Sequence, residues 1–363
     1  MYAGKIMRDI DRWVAQGYID AATAERLRSD MRCEHRSAIS LGNILWVMAA
    51  VLIGAAILTI IAANAQEIPR GVRVLGLFLL IAAAYLGGAY FKNRDRPAMG
   101  ESLYLIGAAA FGASIALIGQ MYHMSGDEAQ AILIWCIATL IAALLLRSPI
   151  LTNASVLLAL AWLFYSFEWW HHGARQSHLF LLIMAAVWAI SYFSQSRVAR
   201  NMVILAIIFY ALLFGVENEP ISMGLLLATV SVAIFLIAYF APDGVERVAQ
   251  LGGPQPVHPV IGFLAGMGLL QAQFTEEFWP MLILALVAFA GIVAALLMRG
   301  RQSRMMRWVA YLGFVVELAL IYAITVGTLM ETGALFLFSG LALALVAFLI
   351  TRIERRISAL VPS

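Results

Sequence analysis

The sequence predicts an all-α membrane protein, a polytopic bundle of about 12 transmembrane helices behind a short N-terminal cytosolic helical hairpin. Two observations lead there. Of the 363 residues, 63% are hydrophobic and 12% are charged, against roughly 45–50% and about 25% in soluble domains. The apolar residues also run in segments close to the roughly 20 residues that cross a hydrocarbon core as a helix. A dozen such segments use about 240 residues, which leaves little chain for any extramembrane domain. Soluble enzymes, disulfide-stapled secreted scaffolds and disordered chains are excluded on this composition.

Residues 1–40 are the one sizeable polar stretch. Ile6, Ile10, Trp13 and Val14 share a helical face, and Gly17 suits a C-terminal cap. Asp20 suits the N-cap of a second helix carrying Ala24, Leu27 and Met31. The hairpin carries Lys5, Arg8, Arg12, Arg26, Arg28, Arg32 and Arg36, which the positive-inside rule places in the cytosol. A cytosolic protein is the partner such a hairpin suggests.

The transmembrane bundle is expected over 41–351, with a cytosolic basic tail over 352–363. Its apolar segments fall near 41–63, 72–91, 102–121, 129–146, 150–167, 178–194, 201–215, 221–240, 257–272, 278–298, 307–327 and 331–350. The seventh is short, and the ninth is Gly-rich and bounded by Pro259, so either suits a re-entrant or tilted segment. With the N-terminus inside, 21 of the 24 Lys and Arg residues fall in cytosolic segments, and only Arg70, Arg73 and Arg175 fall elsewhere. The opposite loops collect Glu67, Asp127, Glu128, Glu168, Glu217, Glu219, Glu276, Glu277 and Glu331. A miscounted span would invert this alternation from that point on, so the pattern predicts both termini in the cytosol of a bacterial inner membrane.

Net charge +3 does not point to nucleic acid, because the cations follow the loops rather than forming a patch. The partner the whole chain demands is the lipid bilayer, and the sequence sets no oligomeric state. Cys33 and Cys136 read as free thiols, one in the polar arm and one inside an apolar span. No loop carries the phosphate-binding pattern of a P-loop, and no cofactor is expected.

At Trp13-x-x-x-Gly17-x-Ile19, Ala62-Ala63-Asn64 and Ile68-Pro69 the chain resembles a bacterial membrane-protein family catalogued as domain of unknown function 2157. The likeness is clearest at Gly100-Glu101 and along Gly119-Gln120-Met121-Tyr122-His123-Met124-Ser125-Gly126-Asp127, and it covers roughly residues 1–150. The family pattern often carries an aromatic where this chain has Ala65. The resemblance implies an inner-membrane protein with a short helical region ahead of its spans, and it supplies no activity.

Glu317 is the sharpest candidate, a carboxyl group near the centre of the eleventh segment. At that depth it costs several kcal/mol unless it is protonated, paired or facing water. It is either a proton or cation relay, or a neutral acid bonded to another helix, for instance through Ser114, Thr139 or Asn153. Arg307 lies ten residues away on the same helix, about 15 Å of rise, and cannot reach it. A second candidate is the outer polar cluster of Gln120, Tyr122, His123 and Asp127, where Ser125-Gly126-Asp127 reads as a tight turn. Imidazole and carboxylate there suit a polar solute or proton uptake, and equally an ordinary interfacial belt. Glu168, His171, His172 and His178 form a weak metal candidate, set beside Trp169 and Trp170, which mark a headgroup belt. No metal and no catalytic residue is expected, since nucleophile, base and orienter do not occur together. Small residues at Ala50, Gly54, Gly107, Gly112, Gly262, Gly266 and Gly268 read as packing seams.

The residues favour a proton-coupled small-solute transporter-like protein. The alternative is a non-catalytic envelope or scaffold protein acting through its cytosolic hairpin. Behind both stands a membrane-embedded enzyme that modifies lipid or glycan.

Overall fold

The computed structural model describes residues 69–328, save 124–126, 167–177, 253–256, 276 and 301–302, together with separate positions within 10–26, 45–59 and 340–344. All regular structure among the described residues is helical. The helices are α1 (Arg70–Lys92), α2 (Pro97–Met121), α3 (Glu128–Leu146), α4 (Pro149–Ser166), α5 (Leu179–Phe193) and α6 (Arg197–Glu217). They continue as α7 (Pro220–Phe240), α8 (Pro242–Ala249), α9 (Val257–Gln273), α10 (Phe278–Arg299) and α11 (Arg304–Thr328).

Every apolar segment expected between 72 and 327 is a helix, in order and within a few residues of its expected bounds. Eight of them (α1–α4, α6, α7, α10 and α11) are long and apolar enough to cross a membrane. Of the first and twelfth segments only separate positions are described, and the pairing of the hairpin and the basic tail lie outside the described residues.

One segment departs furthest from its expected length. The seventh segment is not short: α6 runs for 21 residues, because the polar turn Arg197-Val198-Ala199-Arg200-Asn201 ahead of the apolar run is already helical. Ser196 begins it, its hydroxyl accepting from Ala199 N–H at 3.1 Å. The short helices are instead α5, with 15 residues, and α9, with 17. Pro259 sits in the first turn of α9, where its missing N–H leaves no bond unmade. The eight-residue α8 is an element the apolar pattern does not show. Pro242 opens it, Asp243 lies in its first turn, Arg247 in its last, and Gln250 closes it at φ +48°.

At the N-terminus, Gly17 N–H donates to Val14 O at 3.0 Å and Tyr18 N–H to Trp13 O at 2.9 Å. With Gly17 at φ +73°, this is the paired-bond helix stop that a glycine permits. Asp20 takes hydrogen bonds from Thr23, and these hold its carboxyl below the usual carboxylate range, as an N-cap should. Both caps fall where the sequence places them.

Burial is inverted relative to a soluble core. Many of the buried positions are Ala, Ser and Gly, whereas Leu86, Leu145, Phe240 and Trp279 stand exposed. Large side chains outside and small ones between helices are what lipid demands, since packing rather than exclusion from water joins the helices. The chain divides into two compact units, Met1–Leu158 and Ala159–Ser363.

In the first unit α1 and α2 cross backbone to backbone. A Cβ on Gly100 would stand 2.7 Å from Gly88 O, and one on Gly88 2.9 Å from Gly100 O. Trp135 of α3 packs over Gly112 and donates its indole N–H to Ala108 O at 2.7 Å. Lys92 then clasps the helix ends. Its ammonium bonds Glu101 Oε1 at 2.7 Å and donates to Leu146 O at 3.4 Å and Arg147 O at 3.3 Å. Glu101 in turn accepts from the hydroxyl of Ser148 and from Ile150 N–H. One ion pair therefore joins α1, α2, the C-terminus of α3 and the N-terminus of α4.

In the second unit α9 is the central helix, packed on α6, α7, α10 and α11. Its glycines are what allow this. A Cβ on Gly266 would stand 2.7 Å from Gly224 O of α7, and Gly262 faces Ser231. The expected seams at Gly107, Gly112, Gly262 and Gly266 are thus contacts inside a unit, while Gly268 meets nothing.

The clasp yields a stability test. Glu101→Ala takes the carboxylate from a half-buried ammonium and the acceptor from the Ser148 hydroxyl and Ile150 N–H, and should cost about 1–3 kcal/mol, read as a lower apparent melting temperature in detergent. Asp243→Ala, which removes an exposed carboxylate, should leave the melting temperature unchanged.

Candidate functional site: the buried Glu317–Gln271 pair

Glu317 lies midway along α11, whose start is fixed by Ser303, its hydroxyl accepting from Met306 N–H at 3.0 Å. The residues around it on the helix are Gly313, Phe314, Val315, Val316 and Leu318, so backbone and packing place the carboxyl group without polar help from its own turn. Gly313 leaves room for Leu264 of α9 to lie against α11, and Phe314 meets Phe289 of α10 at 4.9 Å between ring centroids.

Glu317 is 4% exposed and Gln271 of α9 is 0% exposed. Gln271 Nε2 donates to Glu317 Oε1. The Oε1 of Gln271 is buried and has no hydrogen-bond partner among the described residues. Beside Gln271, Leu270 and Met267 pack with Ala228 of α7 and Ala288 of α10. The pair is a polar contact set in an apolar seam between α9 and α11.

This corrects the expected partners. Ser114 donates to Phe111 O at 2.6 Å and Thr139 to Trp135 O at 2.8 Å, each within its own helix. Arg307 is held at the start of α11, donating to Gly300 O at 2.9 Å. Gln271 escaped the sequence reading because it lies one residue from the expected end of its segment, where an amide reads as interfacial. The signal was its register: thirteen residues separate Glu317 from Arg304, and fourteen separate Gln271 from Val257. In two helices that start on the same side, about 1.5 Å of rise per residue puts them level.

The other candidates are placed as follows. Gln120, Tyr122, His123 and Asp127 are all exposed. Tyr122 is the C-cap of α2, His123 closes it at φ +51°, and Asp127 Oδ1 caps α3 by accepting from Ala129 N–H at 2.9 Å. Ser125 and Gly126 of the expected tight turn lie outside the described residues. Of the metal candidates only His178 is described, and its Nδ1 lies 3.1 Å from the Tyr210 hydroxyl. Glu168, His171 and His172 lie outside the described residues. Among those described, no three His, Cys, Asp or Glu side chains gather as a metal site would require. Cys136 is free and buried, its Sγ 3.4 Å from Ser155 O.

Sequence reasoning also missed two arginines, which it counted as loop cations. Arg200 is 1% exposed. It donates to Ser191 O at 3.1 Å and Gln250 O at 3.2 Å, with its guanidinium 4.9 Å from the Tyr192 ring. Arg299 donates to Tyr239 O at 3.1 Å and Ala238 O at 3.3 Å.

Apolar helices with small residues between them and a buried acid–amide pair across a helix seam define a polytopic α-helical membrane protein. Residues 11–152 match the model of a family described as predicted membrane protein (DUF2157), which bears out the resemblance carried by the N-terminal motifs. No curated protein and no solved structure matches the chain.

The pair can be tested by a mutant cycle. Gln271→Leu or Glu317→Leu alone leaves one buried polar group without its partner and should cost about 1–3 kcal/mol. The double leucine variant should regain most of that loss, because two apolar side chains replace two polar ones. Thermal unfolding in detergent of the four proteins measures the coupling.

Proposed function

We propose that the chain is a twelve-span inner-membrane protein with both termini cytosolic, and that it acts as a proton-coupled small-solute transporter-like protein through Glu317 and Gln271. The observation that carries this is the buried, unpartnered Oε1 of Gln271 beside Glu317. An ionised carboxylate only accepts hydrogen bonds, whereas a carboxylic acid has one O–H to donate. The neutral acid is therefore the form that can complete a two-point pair with the amide. Loss of that proton keeps, and strengthens, the amide N–H bond to the carboxylate but removes the one donor the acid could offer the Gln271 oxygen, so the two charge states bond differently across the α9–α11 seam. Protonation is in this way coupled to the contact between two packed helices, the kind of two-state element a proton-driven carrier needs.

The orientation is supported by the described turns. Basic residues occupy alternate connections (Lys92 to Arg96, Arg147, Arg197 with Arg200, Arg247, and Arg299 to Arg307), and acidic residues occupy those between. This alternation requires α5 and α9 to cross despite their length. Glu128→Cys should then react with a membrane-impermeant maleimide added to intact spheroplasts, and Asp243→Cys should react only after lysis. Reaction of Asp243→Cys from outside would reverse the orientation.

The functional test is a pH jump across sealed proteoliposomes carrying an entrapped pH dye, with a bacterial small-molecule extract outside. Solute-dependent proton flux should appear with the natural protein and vanish in Glu317→Gln, which keeps size and polarity but carries no exchangeable acid proton. Flux in neither would overturn the transport reading in favour of a scaffold acting through the hairpin, whose caps at Gly17 and Asp20 are formed.

A further inference from the structure

Two cavities in the second unit border α6. The larger, about 290 Å³, is lined by Ile204 and Ile208 of α6, Val230 and Ile234 of α7, and Val245 and Ala249 of α8. The smaller, about 260 Å³, is reached further along α6 at Tyr210 and Phe214, and Ile207 lines both. From Ile204 to Phe214 is ten residues, about 15 Å of helix rise. Ile207, Val230 and Ile234 are each 40–46% exposed, so the larger cavity opens on the outer face of two helices that cross the membrane, with buried Leu227, Ser231 and Ala238 as its floor.

Protein interiors do not keep such space, because a gap forfeits the contacts on one side. Beside a bilayer the space is filled by hydrocarbon. One end of this slot is unlike ordinary lipid-facing surface. There α8 follows α7 directly and turns Val245 and Ala249 to the slot, while Asp243 and Arg247 are exposed. The helix is held down by the Tyr192 hydroxyl, which donates to Val248 O at 2.6 Å. Glu246 is not free to meet a ligand, as its Oε1 accepts from Gly252 N–H at 2.9 Å. Exposed Arg197 lies along the same rim, its Cδ 3.4 Å from where a Cβ on Gly252 would be.

We propose that this slot is a binding site for a membrane phospholipid, with one acyl chain lying between α6 and α7 and the phosphate at Arg197, which stands in helical register with Ile204 and Ile208 at the polar end of α6. A volume near 290 Å³ is at the low end of small-molecule sites, roughly 300–1,000 Å³, and suits one chain better than a bulky ring system. Exposed Arg197 supplies the charge that a phosphodiester seeks at the apolar–polar boundary, while Arg247, two residues from Val245 and Ala249, faces away from the slot. The site is separate from Glu317 and stands whether or not the protein transports anything.

The test uses the full chain in proteoliposomes containing a phosphatidylethanolamine with a diazirine on one acyl chain, illuminated, digested and mapped by mass spectrometry. Adducts should concentrate on 204–258 by about tenfold over the lipid-facing surface of α1 and α3, a preference of about 1.4 kcal/mol. Ile234→Trp, which fills the slot, should bring them to the level of α1 and α3. The surface variant Arg197→Gln should reduce them several-fold without touching the packing, and Arg247→Gln, on the far face of α8, should not. Val216→Trp, on an exposed part of α6 beyond the slot, should change nothing. Adducts spread evenly over the exposed helices would overturn the proposal in favour of ordinary surrounding lipid. Labelling by a diazirine fatty acid alone, indifferent to Arg197, would overturn it in favour of a free acid. Chain-to-chain crosslinks in place of lipid adducts would overturn it in favour of a second copy.

Discussion

The last carbonyls of any helix have no partner within it, and at the edge of a bilayer water is not always there to supply one. Among the described residues, several helix ends meet that requirement with a cation from a neighbouring helix, three of them as follows. Lys92 reaches the carbonyls of Leu146 and Arg147 at the end of α3, Arg200 reaches Ser191 near the end of α5, and Arg299 reaches Ala238 and Tyr239 at the end of α7. Each cation also lies over a tyrosine ring: Tyr104 at 5.5 Å, Tyr192 at 4.9 Å and Tyr239 at 5.1 Å. Charge, carbonyl dipole and aromatic face thus act together where a helix stops. The helices can be long, apolar and closely packed because their ends are closed in this way.

Between the ends, glycine does the joining. The Gly88–Gly100 crossing in one unit and the Gly224–Gly266 crossing in the other bring backbones into contact. In the second unit this lets a helix of only 17 residues be surrounded by four others. A buried amide can be kept on such a helix only if a neighbour answers it, and Glu317 does so. The acid and the amide therefore explain each other: neither is tolerable at that depth without its partner.

Much of this architecture is legible in the sequence, since apolar run length is a direct consequence of bilayer thickness. The starts of α6 and α11 were placed late because arginine-bearing first turns look like loop in a hydropathy pattern, although Ser196 and Ser303 in front of them are N-cap residues. The α8 helix was invisible because eight residues make no apolar run, yet Pro242, Asp243 and Arg247 are a start signal, a favourable first-turn charge and a favourable last-turn charge. Glu317 could be singled out alone, because a carboxyl group in an apolar run is conspicuous. Its partner could not, because pairing depends on which helices adjoin, and hydropathy carries no record of neighbours. For the same reason Arg200 was counted with the loops although the fold encloses it.

Lys92, Arg200 and Arg299 are residues whose positive charge is read twice. During insertion, the distribution of cations among the connections decides which way each hairpin of helices is threaded, before any tertiary contact exists. After folding, the same side chains close α3, α5 and α7. A substitution that reverses one of these charges therefore acts on two stages of the protein's life at once. An inverted reporter signal from such a variant would report misthreading and an unclasped bundle together, so loop charges with no structural bond are the safer handles for re-engineering its orientation.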